Sequence, residues 1–310
     1  MNCPAKINRI NLPDDKRIIC ISDIHGNLDL FKALLDKAGF CEDDVLILLG
    51  DLYLKGPKPH DTLKFCIKLA EKPNVHILKG NCDWGREDYL SEQEVQWLDS
   101  LPDIIHTDKF IFVHSGIASE NLEEEQTATV MKYDNFVEAA PSFDRWVVVG
   151  HWPVSMYCHD FPRHSPIVNE EKRIIAIDGG NVLKPDGQLN AFIIQGGGFS
   201  HMSVDGLPTI IIEKDRAESA GKLAITWNDR FVEIVEDGTP LCRVRHLQIG
   251  EVLAVPKSRI WTDRDGNACI CDMATDHHLP VKVGDAVKVV GAFPDRIFAK
   301  MGDVSGWIMI

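Results

Sequence analysis

R-I-I-C-I-S-D-I-H-G-N, from Arg17 to Asn27, ends a short apolar run on Asp23, a spacer, His25 and a glycine. An apolar run of this length, bounded by polar residues and Gly, reads as a buried strand. Its carboxylate and imidazole then stand at the carboxyl end of the strand, where open α/β sheets place their ligands. The pattern recurs five times: V-L-I-L-L-G runs into Asp51, V-H-I-L-K-G into Asn81, F-I-F-V into His114, W-V-V-V-G into His151 and R-I-I-A-I into Asp178. Side by side, these ends would bring two Asp, three His and one Asn to one patch, with Asp178 nearby. A lone Asp or His after a strand is usually a turn residue or a cap, but the ordered set points to a metal site. Carboxylate oxygen with imidazole nitrogen suits Mn, Fe or Zn. The donors are too many for one tetrahedral ion and enough for a pair bridged by a shared carboxylate.

S-D-I-H-G-N, G-D-L-Y-L-K-G-P, G-N-C-D, H-S-G and G-H-W-P together resemble, in order and spacing, the signature blocks of the calcineurin-like metallophosphoesterases. They are most similar to the phosphoprotein phosphatase branch, with its bacterial Ser/Thr phosphatases and diadenosine tetraphosphatases, over roughly the first two thirds of the chain. The resemblance implies an α/β fold, a β-sandwich flanked by helices in αββα layers. It makes Asp23 and His25 ligands of one divalent metal, Asp51 the bridge, and Asn81, His114 and His151 ligands of a second. The reaction it implies is attack on phosphorus by a hydroxide held between the metals, on a phosphoprotein, a dinucleotide polyphosphate or a phosphodiester.

The chain departs from that pattern at the position of the leaving-group acid. The phosphoprotein phosphatases have His in G-N-H and an Asp before the Arg of G-D-x-x-D-R-G; here those positions are Cys82 and Leu54. Losing both is physically consistent, because a carboxylate without its imidazole would be a buried unpaired charge. Cys82 can still give a proton, and some small bacterial metallophosphodiesterases are similar in carrying G-N-C-D. Lys55 replaces the Arg, offering a point charge to phosphate but no bidentate fork; Asn81 and His151 can also contact phosphate. Cys82 is not the nucleophile of a Cys phosphatase, since D-W-G-R after it lacks the phosphate-cradling glycines. General acid help is worth about 10²–10⁴-fold, so leaving groups that need little protonation are expected. Pro153 stands where many relatives place a further His, and Asp178 reads as a turn residue or a hydrogen-bonding support for the first metal.

The 310 residues allow one large domain or two ordinary ones. A net charge of −14 argues against general nucleic-acid binding and against anionic membranes. Nine scattered Cys without a paired framework, and a polar start without a signal-peptide core, favour the cytoplasm. L-D-L-F-K-A-L-L-D-K-A-G-F and His60 to Pro73 read as helices, as does Trp84 to Ser100; Ser119 to Glu125 reads as an exposed acidic loop. Gly179 to Ile194 reads as two strands around P-D-G. The turn-rich stretch Q-G-G-G-F-S-H-M-S-V-D-G marks a boundary, giving a catalytic domain over 1–203 and a β-rich region over 204–310. That region carries a weak repeat: Q-I-G-E-V-L-A-V, R-I-W and A-C-I are echoed by K-V-G-D-A-V-K-V, R-I-F and G-W-I. The second copy resembles a bacterial SH3-like barrel, which could dock a protein partner. The alternative to a phosphorylated small-molecule or protein substrate is therefore a weakened phosphoesterase fold that binds and regulates through this region.

Overall fold

The apolar runs form strands buried on both faces, which is why they read as continuous rather than alternating. The structure, a computed structural model, describes residues 3–13, 15–84, 89–218, 223–271 and 273–310. The chain divides into two compact units: Met1–Val154, Ser165–Leu183 and Gly187–Gly206 form one, and Ser155–His164, Lys184–Asp186 and Leu207–Ile310 the other.

In chain order the first unit carries β1 (Ile7–Arg9), β2 (Ile18–Ile21), α1 (Leu28–Ala38), β3 (Val45–Leu48), α2 (Pro59–Ala70), β4 (Val75–Ile77), α3 (Asn81–Trp84), α4 (Glu92–Ser100), β5 (Ile104–His106) and β6 (Phe110–Val113). There follow α5 (Thr127–Met131), α6 (Phe136–Ala139), β7 (Trp146–Val149), β8 (Ile167–Asn169), β9 (Ile174–Ala176), β10 (Leu189–Gln195) and β11 (Gly198–Val204). One sheet runs β11-β10-β2-β3-β4 and the other β1-β5-β6-β7-β9-β8. The strands β2, β3 and β4 are parallel, as are β6, β7 and β9.

Alternate side chains of β2 face opposite ways. Ile18 and Cys20 pack with Phe112, Val148 and Ile175 of the other sheet, between the two sheets. Ile19 and Ile21 pack with Phe31 and Leu34 of α1 and Leu63 and Cys66 of α2. α1 ends where Gly39 takes a left-handed conformation, and α2 begins with Pro59.

Three sequence expectations are corrected here. Trp84 to Ser100 is not one helix: α3 ends at Trp84, residues 85–88 lie outside the described residues, and α4 starts behind a Ser91–Glu94 capping box. Gly179 to Ile194 holds only the strand β10, with Gly180 joined to Gln188 by an isolated bridge. The supposed linker contains β11, paired with β10 along its full length, and Gly196 and Gly197 turn the hairpin at positive φ.

The second unit carries β12 (Thr209–Ile211), β13 (Ala224–Ile225), β14 (Val232–Glu236), β15 (Leu241–His246), β16 (Val252–Pro256), β17 (Ile260–Thr262), β18 (Ala268–Ile270), β19 (Ala274–Thr275), β20 (Ala286–Ala292), β21 (Arg296–Met301) and β22 (Val304–Met309). Among the described residues its larger apolar clusters lie around Val232, Val244 and Val255 and around Val287, Ala299 and Ile308, with a small one at Cys158, Ala224 and Met273. The repeat has a structural trace. Each copy is three strands, β16-β17-β18 and β20-β21-β22, and Gly250 and Gly284 before them, like Gly266 and Gly302 within, all have positive φ. The copies differ in pairing, since β20 pairs with β21 whereas β16 pairs with β15.

Candidate metal centre

Asp23, Asp51, His114 and His151 follow the carboxyl ends of β2, β3, β6 and β7, and Asn81 opens α3 just after β4. Four of the six expected ligands have left-handed backbones: φ is 54° at Asp23, 50° at His25, 53° at Asp51 and 66° at His151. For a non-glycine residue this costs about 1–3 kcal/mol each and clusters at functional sites. The loops also approach closely. A Cβ on Gly80 would lie 2.2 Å from the Asp51 amide nitrogen, and one on Gly150 2.4 Å from Asp23 Oδ2.

Ligand atoms of Asp23, Asp51 and His114 lie within 4.8 Å of one another, and so do those of His25, Asp51 and Cys82. Asp51 belongs to both groups. His25 Nε2 is 3.7 Å from Asp23 Oδ1 and 3.7 Å from Asp51 Oδ2; neither of its ring nitrogens has a hydrogen-bond partner, nor has Asp23 Oδ1. His114 Nδ1 donates to the Leu49 carbonyl at 2.8 Å, which leaves a lone pair on Nε2. That nitrogen faces Asn81 Oδ1, another acceptor, at 2.9 Å. His151 sits beside His114 with ring centroids 5.1 Å apart, and its backbone N–H donates to Asp23 Oδ2 at 2.9 Å. Acceptors aimed at acceptors in a buried site fit a cation. The donor set passes this test for divalent metal binding.

The electrostatics agree. Burial, then the neighbouring Asp51, raises the Asp23 carboxyl. Burial alone would raise Asp51 too, but His114 and His25 outweigh it and hold it low. Burial pushes His25 down to about 4, and burial followed by His114 does the same to His151. A bound dication would offset the cost of burying the charged carboxylates, and the low histidine values leave neutral imidazoles ready to coordinate it. Burial and then Asp51 push the Cys82 thiol up to about 12. Burial alone would lower the Lys55 ammonium, but Cys82, Asp51 and Asp23 outweigh it and its pKa is raised. Asp178 makes a turn, accepting from Gly180 N–H at 2.8 Å, while its Oδ2 is buried without a partner.

Three supporting residues escaped the sequence reading. Asp134 Oδ1 accepts from His151 Nε2 at 2.8 Å, which turns the His151 Nδ1 lone pair free for other use. Asn181 donates to the carbonyls of Asp23 and Ile24 at 3.2 and 2.8 Å. Asp83 accepts from Leu52 and Gly80 N–H, each at 2.9 Å, tying two metal loops together. Asp83 belongs to the quoted G-N-C-D block; Asp134 and Asn181 carry no spacing signal.

Residues 16–180 match the family model of the calcineurin-like phosphoesterases, and the chain belongs to that family. It is a phosphoric ester hydrolase of a family that uses divalent metals. The asymmetrical bis(5'-nucleosyl)-tetraphosphatase PrpE of Bacillus velezensis is 28% identical over 228 residues, covering 56% of this chain and 86% of the relative. A symmetrical bis(5'-nucleosyl)-tetraphosphatase of Neisseria meningitidis is 34% identical over 118 residues, covering 31% of this chain and 42% of the relative. The fold is shared with a crystal structure described as a putative diadenosine tetraphosphatase, with a TM-score of 0.51 and 19% identity over 65% of this chain and 99% of the other. No helix among the described residues is long and apolar enough to cross a membrane.

Proposed function

We propose that the chain is a two-metal phosphoesterase acting on bonds with good leaving groups, with dinucleoside polyphosphates the favoured substrate class. The observation that carries this is the central place of Asp51, whose ligand atoms lie within 4.8 Å of those of Asp23 and His114 and also of His25. Asp23, His25 and Asp51 would hold one ion, and Asp51, Asn81, His114 and His151 the other. When bound, such ions supply Lewis acidity and a water acidic enough to attack at neutral pH. Lys55 places its charge beside Cys82 and would neutralise phosphoryl oxygens, with Asn81 and His151 contributing contacts.

The leaving group sets the specificity. Leu54 and Cys82 occupy the positions of the acid dyad, so among the described residues the donors left beside it are Cys82 and the neighbouring Lys55. Phosphoanhydrides and aryl phosphates need that proton least. The names of the two relatives favour the phosphoanhydride. The test is a series of aryl phosphates of graded leaving-group pKa, assayed with Mn. A steep dependence of rate on pKa is expected, flattened in the Leu54→Asp, Cys82→His double variant; a flat dependence in the parent overturns the reading. A parent inactive on every phosphoester would instead select a binding role through the second unit.

A further inference from the structure

The strands that present the metal residues at their carboxyl ends open, at their amino ends, onto a cavity of about 750 Å³. Ile18, Phe110 and Trp146, the first residues of β2, β6 and β7, line it. The volume lies in the range of small-molecule sites. In a chain of net charge −14, its lining gathers four cations, Lys16, Lys109, Arg145 and Arg173, against two carboxylates, Asp108 and Asp144.

The cations are organised by the protein. Glu120 holds Arg145 through a 2.6 Å ion pair, yet Arg145 Nε is buried without a hydrogen-bond partner. A guanidinium of Arg173 is fixed on the Asp144 carbonyl. Lys16 pairs with the exposed Asp43 at 3.4 Å. Beside them stand two half-buried aromatic rings, Trp146 and Phe199, edge to face at 5.0 Å, and Phe199 is backed by Phe192. Cations that can bind phosphate lie next to rings that can take a planar base.

We propose that this cavity is a second ligand site that binds a nucleotide, its base against Trp146 and Phe199 and its phosphates toward Lys16, Lys109 and Arg173. None of these residues belongs to the metal centre, and no metal is needed. The inference therefore stands apart from the proposed catalytic function.

The test is calorimetric titration of ADP into the full chain in EDTA at low salt, with adenosine and tripolyphosphate as comparison ligands. One ADP per chain is expected, bound equally by the parent and by Asp51→Asn. Binding should weaken about tenfold or more in a Lys16→Glu, Lys109→Glu variant, as expected when charges facing an anion are reversed. That variant keeps its phosphoesterase rate, because neither lysine belongs to the metal loops, and the loss of the solvent-screened Lys16–Asp43 pair costs it little stability. Adenosine and tripolyphosphate should each bind more weakly than ADP. Absence of ADP binding, binding that survives the charge reversal, binding lost in Asp51→Asn, or tripolyphosphate matching ADP would each overturn the proposal.

Discussion

His151 shows what one residue needs in order to serve as a ligand. Its ring can be aimed only if one nitrogen is committed elsewhere, and Asp134 commits Nε2. Replacing a partner of this kind typically costs 10–100-fold in metal affinity. Asp134→Asn, titrated with Mn by calorimetry, should lose affinity by about that factor at one of two sites; unchanged affinity at both would show the contact to be incidental. The proposed ligands can be picked out in the sequence because each stands at or near the end of a short apolar run, and a strand fixes where its next residue goes. Asp134 was not, because its partner lies across a loop of irregular conformation, where no period relates the two positions.

At the scale of elements, two glycines separate stability from function. Gly39 caps α1 at φ 58° with nothing near its missing Cβ, so Gly39→Ala should cost about 1–2 kcal/mol of stability and leave activity unchanged. Gly80→Ala drives a methyl into Asp51 and should abolish activity. Thermal melts and an aryl phosphate assay on both variants decide this; an active Gly80→Ala enzyme would contradict the packing. In the second unit, His164 and Asp186 form a fully buried pair at 3.0 Å, with Lys300 donating to the Asp186 carbonyl. Burial would raise the Asp186 carboxyl, but His164 and then Ser305 outweigh it and depress it. Its contribution is thus present above the ordinary carboxyl range near pH 4 and fades as pH falls toward the lower folded value. Asp186→Asn should lose about 3–5 kcal/mol at pH 7, and the gap in melting temperature should narrow progressively as pH falls below about 4 toward the depressed folded value. A gap independent of pH would point to packing alone. α1 and α2 were readable from apolar spacing and their terminal Gly and Pro. β11 was misread because glycines that suit a linker also suit a tight hairpin turn.

For the molecule as a whole, a layered α/β fold could be read from the alternation of strands and helices, since parallel strands covered on both faces leave continuous apolar runs, whereas the αββα layering came from the family resemblance. The two short excursions of the chain into the second unit could not be read. The second unit takes Ser155–His164 and Lys184–Asp186 from within the catalytic stretch, and sequence reading, being local, places a single cut. Nor was the cationic cavity visible, because Lys16, Lys109, Arg145 and Arg173 come together only when the sheets pack. In the proposed dinuclear site Asp51 is the residue shared by both ions, since its ligand atoms lie within 4.8 Å of those of Asp23, His114 and His25. Metal stoichiometry of the purified chain and of Asp51→Asn, by inductively coupled plasma mass spectrometry after Mn loading and desalting, addresses this most directly. Two ions per parent chain, with fewer than one retained in the variant, is the expected result. Two ions retained in both, or none bound by the parent, would contradict it.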